Sequence, residues 1–142
     1  MVTSDTCNVL RQSYDVHMTT GRKHEKQMNG EEKAALITRV RQIAETVIST
    51  HAADRMAQKG VTAKEIENCL RYGFAVEIHN EASEWRAVIR HAYGRPKVAV
   101  CVVIGLETGT IVTTWKNAGS DNHSTLNLNA YDLKVNVASL LA

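Results

Sequence analysis

No stretch of this chain approaches about 18 consecutive apolar residues, so nothing in it reads as a membrane-spanning helix. The segment from Met1 to about Gly30 carries Asp5 and Asp15 and has no apolar core, which argues against a secretory signal. Cysteine is sparse and scattered: Cys7, Cys69 and Cys101 form no C-x-x-C pair and no Cys–His cluster. That pattern reads as reduced thiols in a cytosolic protein and argues against structural zinc. Cys101, within an apolar run, reads as a small buried hydrophobe. A Cys–His protease fails because only Cys7 sits outside a predicted helix or strand. Glycine-rich phosphate loops, internal repeats and low-complexity tracts are absent. Carboxylates are too few around His123, where Asp121 stands alone, for a hydrolytic metal site. The net charge of +2 excludes a histone-like polycation and by itself decides nothing about nucleic acid.

Among 142 residues, 44% are hydrophobic and 23% charged, which fits one ordinary folded domain able to bury its own core. Residues 1–30 are polar and weakly patterned and read as a flexible or loosely docked arm, with a phosphate-binding arm as the alternative for the basic cluster Arg22-Lys23-His24-Glu25-Lys26. Residues 31–142 read as the domain. Leu36, Val40, Ile43 and Val47, widened by Ile37, Ala44 and Ile48, form an amphipathic helical stripe capped by Asn29 or Gly30. A second helix is expected from His51 to about Lys59, with Thr50 as N-cap and Gly60 just past its end. Thr62-Ala63-Lys64-Glu65 is a capping box opening a third helix that stops at Gly73. The apolar period then changes to two, which predicts strands near 74–79, 85–92, 98–105 and 110–116, and residues 133–142 can add a last short element. The expected architecture is α+β: N-terminal helices packed on one face of an antiparallel meander of four to five strands.

Three constellations could carry chemistry. His51 and Arg55, four apart at a helix start, share one face near unpaired N–H groups, a place suited to a general base and a phosphate ligand; a surface His beside a salt-bridged Arg looks the same. Arg86 and Arg90 share a strand face, with His91, Arg95 and Lys97 close in sequence, and form the densest basic region. That suits a polyanion as well as it suits a solvated strand. The third is the rim that follows the last strand. Here Thr114 and Lys116 share one strand face and Thr113 and Trp115 the other, and Asn117, Asp121, Asn122, His123 and Thr125 follow. A rigid strand holding polar groups is a common place for function, with a turn-plus-cap as the alternative. His123 could move a proton near neutral pH, with Asp121 and Asn122 orienting it.

The run His51-Ala52-Ala53-Asp54-Arg55-Met56 to Gly60-Val61-Thr62, followed by Glu65-Ile66, resembles a family of small bacterial and phage proteins defined only as a domain of unknown function. The block Trp115-Lys116-Asn117, Asp121 to Leu126 and Tyr131 is similar to that family's C-terminal signature, so the likeness covers roughly residues 50–132. The family is grouped with the RelE/barnase/EndoU/colicin-type ribonucleases, which include toxin domains. The resemblance implies a barnase- or RelE-like fold and RNA cleavage, with tRNA as the expected substrate, by 2′-hydroxyl attack on the adjacent phosphate, without metal or cofactor. It implies His51, Arg86, Thr114 and His123 as catalytic groups, the two imidazoles exchanging the roles of base and acid. Arg55, Arg90, His91, Lys116, Asn117, Asp121, Thr125 and Tyr131 would bind substrate. It further implies action in the bacterial cytosol and an inhibitor, antitoxin or immunity protein as partner. The competing expectations are a non-catalytic module with which a phage or mobile element grips a host protein or nucleic acid, and a nucleic-acid-binding antitoxin or regulator.

Overall fold

Helical spacing gives way to strand spacing at Gly73, and in the computed structural model the three longer helices precede that point and the four longer strands follow it. It describes residues 21–81, 84–95, 97–118 and 136–141. Helices α1 (Gly30–Arg41), α2 (Thr50–Lys59), α3 (Ala63–Tyr72) and α4 (Val137–Leu140) accompany strands β1 (Arg22–His24), β2 (Val47–Ile48), β3 (Phe74–Glu81), β4 (Glu84–Tyr93), β5 (Val98–Gly105) and β6 (Thr110–Ala118). Local chemistry sets the helix starts. Asn29 with Glu32, and Thr62 with Glu65, form reciprocal capping boxes on α1 and α3. The N-cap of α2 is Ser49 rather than Thr50, its side chain accepting from Ala52 N, so His51 is the second helical residue and not the first. Gly60, at φ 68°, ends α2 in the left-handed conformation that costs glycine least.

The sheet has the order β1-β3-β4-β5-β6-β2. Strands β3 to β6 form the expected antiparallel meander, but both edges differ from expectation. On one edge β1, drawn from the segment expected to be an arm, pairs antiparallel with β3. On the other, β2 pairs parallel with β6, so the sheet is mixed and six-stranded rather than an antiparallel sheet of four to five. The helical stripe expected from spacing therefore runs too far: α1 stops at Arg41, and Val47 and Ile48 belong to an edge strand. The β-branched run Thr46-Val47-Ile48 favours extended backbone. Val47 N and Ser49 N bond Gly109 O and Ile111 O, which satisfies carbonyls that the β6 edge would otherwise leave open.

One face of the sheet is covered by helices. Leu36, Val40, Ala52, Ile66 and Cys69 pack there on Ile78, Ile89, Val100, Val102, Ile104 and Ile111. The other face carries a smaller apolar cluster, Val76, Val88 and Val103, joined by Val112 and Trp115. Two β-bulges decide what reaches this second face. In β3 the register slips between Ala75 and Glu77, leaving Val76 as the extra residue. In β6 the register slips between Thr113 and Ile111, leaving Val112 extra. Each slip reverses the alternation beyond it. Without the first, Ile78 would face outward and Glu77 and His79 would point into the core. Among the described residues no helix is long and apolar enough to cross a membrane.

Candidate functional site

The two bulges bracket a cleft of about 330 Å³ on the second face, into which Arg22, His51, Glu77, His79, Arg86 and Trp115 reach, over a floor that includes Val88 and Val103. Strand register builds its polar end: Arg22 of β1 lies opposite His79 of β3, which lies opposite Arg86 of β4. These side chains form a transverse row on one face. Two register steps along, on the same face, Glu77 stands opposite Val88. His51 enters from the far side, because Ser49 Oγ donates to Val112 O at 3.1 Å and fixes the start of α2 against the β6 bulge.

Charge organises the polar end. The Glu77 side chain is only 1% exposed, a burial that a carboxylate tolerates only with partners. Arg22 Nε donates to Glu77 Oε2 at 2.6 Å while its own side chain stays 38% exposed, so the pair is wet on the arginine side. The same oxygen lies 3.3 Å from His79 Nδ1, close enough for attraction but outside good hydrogen-bond geometry. On its other side His79 Nε2 is 3.6 Å from Glu81 Oε1, and Arg86 Nη1 is 3.7 Å from that oxygen. His79 Nδ1 and Arg86 Nε are buried without a hydrogen-bond partner among the described residues, a deficit that native interiors seldom leave without a reason. Across this row an imidazole backed by a carboxylate stands beside two guanidinium groups, and a second imidazole enters the same cleft. Such a set can bind an anion and move a proton at it.

Of the residues singled out from sequence, the cleft brings together His51 and Arg86. Thr114 and Lys116 lie on the opposite face, because the bulge at Val112 turns them toward the helices. Thr114 is fully buried and donates to Cys101 O at 2.7 Å. Lys116 Nζ donates to Gly60 O at 2.8 Å and lies 3.1 Å from Glu65 Oε2. Burial pushes the Glu65 carboxyl up, yet hydrogen bonds from Thr62 and Lys116 and the Lys116 charge outweigh it and hold it below the ordinary carboxylate value. Lys116 thus clamps β6 to the start of α3. His91 is also on the helix side, its ring stacked on Tyr93 at 5.9 Å and tilted toward Tyr72 at 6.3 Å. Arg55 donates to Gln58 at 3.2 Å and lies outside the cleft lining. Arg90 points to the second face but is 6% exposed, its Nη2 donating to Ala118 O at 3.2 Å. Asn117, half-buried near the end of β6, is not part of the lining either. Asp121, His123, Thr125 and Tyr131 lie outside the described residues.

Sequence reading missed Glu77 and His79, and weighed Arg22 only within a basic cluster as the less favoured phosphate-binding arm. A signal for the first two existed: Glu77-Ile78-His79-Asn80-Glu81 places charged or titratable groups at alternate positions of a strand. For Arg22 the signal was the basic cluster alone, since its segment has too little pattern to read as a strand. Residues 48–116 match the family model of a domain of unknown function, DUF4258. The DUF4258 segment runs from the last residue of β2 to Lys116 and contains His51, Glu77, His79, Arg86 and Trp115, whereas Arg22 comes from outside it. No curated protein and no solved structure matches the chain. Among the described residues no group of three or more His, Cys, Asp or Glu side chains is arranged to hold a metal ion.

Proposed function

We propose that the cleft cleaves RNA by metal-independent transesterification, in the manner of toxin ribonucleases. The observation that carries this reading is the convergence of His51, His79, Arg22 and Arg86 on one cleft between two bulges. In the reaction a ribose 2′-oxygen attacks the adjacent phosphorus, the bond to the 5′-oxygen breaks, and a 2′,3′-cyclic phosphate and a free 5′-hydroxyl result. One imidazole takes the 2′-hydroxyl proton and the other gives a proton to the leaving 5′-oxygen. Glu77 orients His79, and the guanidinium groups of Arg22 and Arg86 meet the charge that develops on the nonbridging oxygens. His79 here fills a role that the sequence suggests for His123. A toxin of this kind requires an inhibitor that covers the cleft in the producing cell.

The test is incubation of the protein with total tRNA in EDTA, beside His51→Ala and His79→Ala. The wild type should release discrete fragments ending in 2′,3′-cyclic phosphate. Each variant should lose about 10²- to 10⁴-fold in rate. Intact RNA after incubation with folded wild type, or cleavage by both variants at the wild-type rate, would overturn the proposal. A protein-binding module is the second reading. An apolar groove of about 590 Å³ between α1, α3 and β2 favours it, as does the exposure of Val47 and Ile48 at 59% and 42%. It fits a chain that leaves RNA intact and captures a partner dependent on Ile48.

A further inference from the structure

The cleft is chemically two-sided. Arg22, Glu77, His79, Glu81 and Arg86 supply a charged end from β1, β3 and β4, whereas Val103, Val112, Thr113 and Trp115 supply a largely apolar end from β5 and β6. Trp115 is half-buried, packed beside the Val76, Val88 and Val103 cluster, and still lines the cleft. The bulge at Val112 is what turns it to this face, since uninterrupted alternation from Ile111 would send it into the core. An indole held by a rigid strand presents a planar face at little cost in side-chain freedom. Register sets Trp115 level with Arg90 across β5, so Arg86 lies about 10 Å across the sheet and about 13 Å along it from Trp115 at the backbone. Both side chains reach inward into the one cleft and shorten that span, leaving room for a flat apolar base at the indole and an anionic phosphate at the guanidinium.

We propose that Trp115 is a stacking platform for a nucleobase and that the cleft takes single-stranded RNA, one base lying on the indole while the neighbouring phosphate sits between Arg22 and Arg86. The Thr113 hydroxyl, on the same strand face, is placed to bond the edge of that base. This inference rests on the ribonuclease reading and adds the substrate class. A base paired in a duplex cannot lie on the indole, so looped or unpaired segments are the substrates.

The experiment uses the full chain and short single-stranded DNA, which lacks the attacking 2′-hydroxyl and survives as a binding probe. Fluorescence anisotropy compares it with an abasic oligomer of the same length. The base-bearing oligomer should bind about 10- to 100-fold more tightly. Trp115→Ala should erase that preference and leave affinity for the abasic oligomer unchanged, which also shows that the variant is folded. Trp115→Phe should keep part of the preference. Equal binding of both oligomers by the wild type, or a preference that persists in Trp115→Ala, would overturn the platform. So would phenyl phosphate competing as well as a pyrimidine 3′-phosphate, which would make the site one for aromatic phosphates in general. RNA scission without base preference refutes the platform alone, and base preference without scission refutes the nuclease alone.

Discussion

Thr114 and His79 carry the contrast between what a residue type can do and what its position lets it do. A hydroxyl near the end of the last strand suits a phosphate, yet Thr114 is sealed in the core and donates to Cys101 O. Thr114→Val should therefore cost about 1 kcal/mol of stability, the value of one buried hydrogen bond, and leave RNA cleavage unchanged. Chemical denaturation beside the tRNA assay checks this, and a large loss of cleavage at unchanged stability would return Thr114 to the site. Cys69 illustrates the same point for a nucleophile. Its thiol is buried among apolar side chains, and that burial, with Cys101 nearby, pushes its pKa far above the range where a thiolate exists. Iodoacetamide should leave Cys69 unmodified in the native protein and label it only after denaturation, as peptide mass mapping would read.

Among the elements, those governed by local chemistry were legible and those governed by pairing were not. The capping box at Thr62, the stop at Gly60 and the strand Val98–Gly105 follow from side-chain types and spacing within a few residues. The edge strands and the bulges follow from partners far away in sequence. Nothing in Val47-Ile48 alone separates the end of an amphipathic helix from a parallel edge strand, and the choice falls to β6. The bulges matter most for the site, because a slip of one residue decides which face His79 and Trp115 occupy, and strand alternation has no means of choosing. Gly109 is where the β2 edge is fixed. It has φ +73°, and a Cβ there would lie 2.5 Å from Glu45 O. Gly109→Ala should destabilise the protein by at least about 1–2 kcal/mol from the left-handed backbone alone, with the clash added. A thermal midpoint equal to wild type would mean that residue 109 leaves the left-handed conformation without cost and that the residue 45 to 48 segment moves away from the added Cβ.

For the whole molecule, the segment ahead of α1 is tied to the far end of the chain through one carboxylate. Lys23 Nζ donates to Glu32 Oε2 at 2.7 Å, with the two side chains only 8% and 5% exposed, and the same oxygen accepts Val137 N at 3.0 Å. Its partner oxygen closes the α1 capping box by accepting Asn29 N at 3.0 Å. One side chain thus joins β1, α1 and α4, and through β1 it holds the strand that brings Arg22 to the cleft. Burial pushes the Glu32 carboxyl up, but the hydrogen bonds from Lys23, Val137 and Asn29, with the Lys23 charge, outweigh it and set its pKa below the ordinary value. A carboxyl lowered on folding contributes stability that is present above its unfolded pKa, near about 4.3, and is lost as pH falls through the folded value. Glu32→Gln keeps the shape and removes the charge, so the buried Lys23 loses this ion pair, and should cost about 3 kcal/mol at neutral pH. Wild type and variant should then converge as pH falls from about 5 toward about 2, because a protonated Glu32 carboxyl and the amide that replaces it are near equivalents. Denaturant midpoints across that range read the result: a gap that stays constant would show that the carboxylate charge does not hold these three elements together.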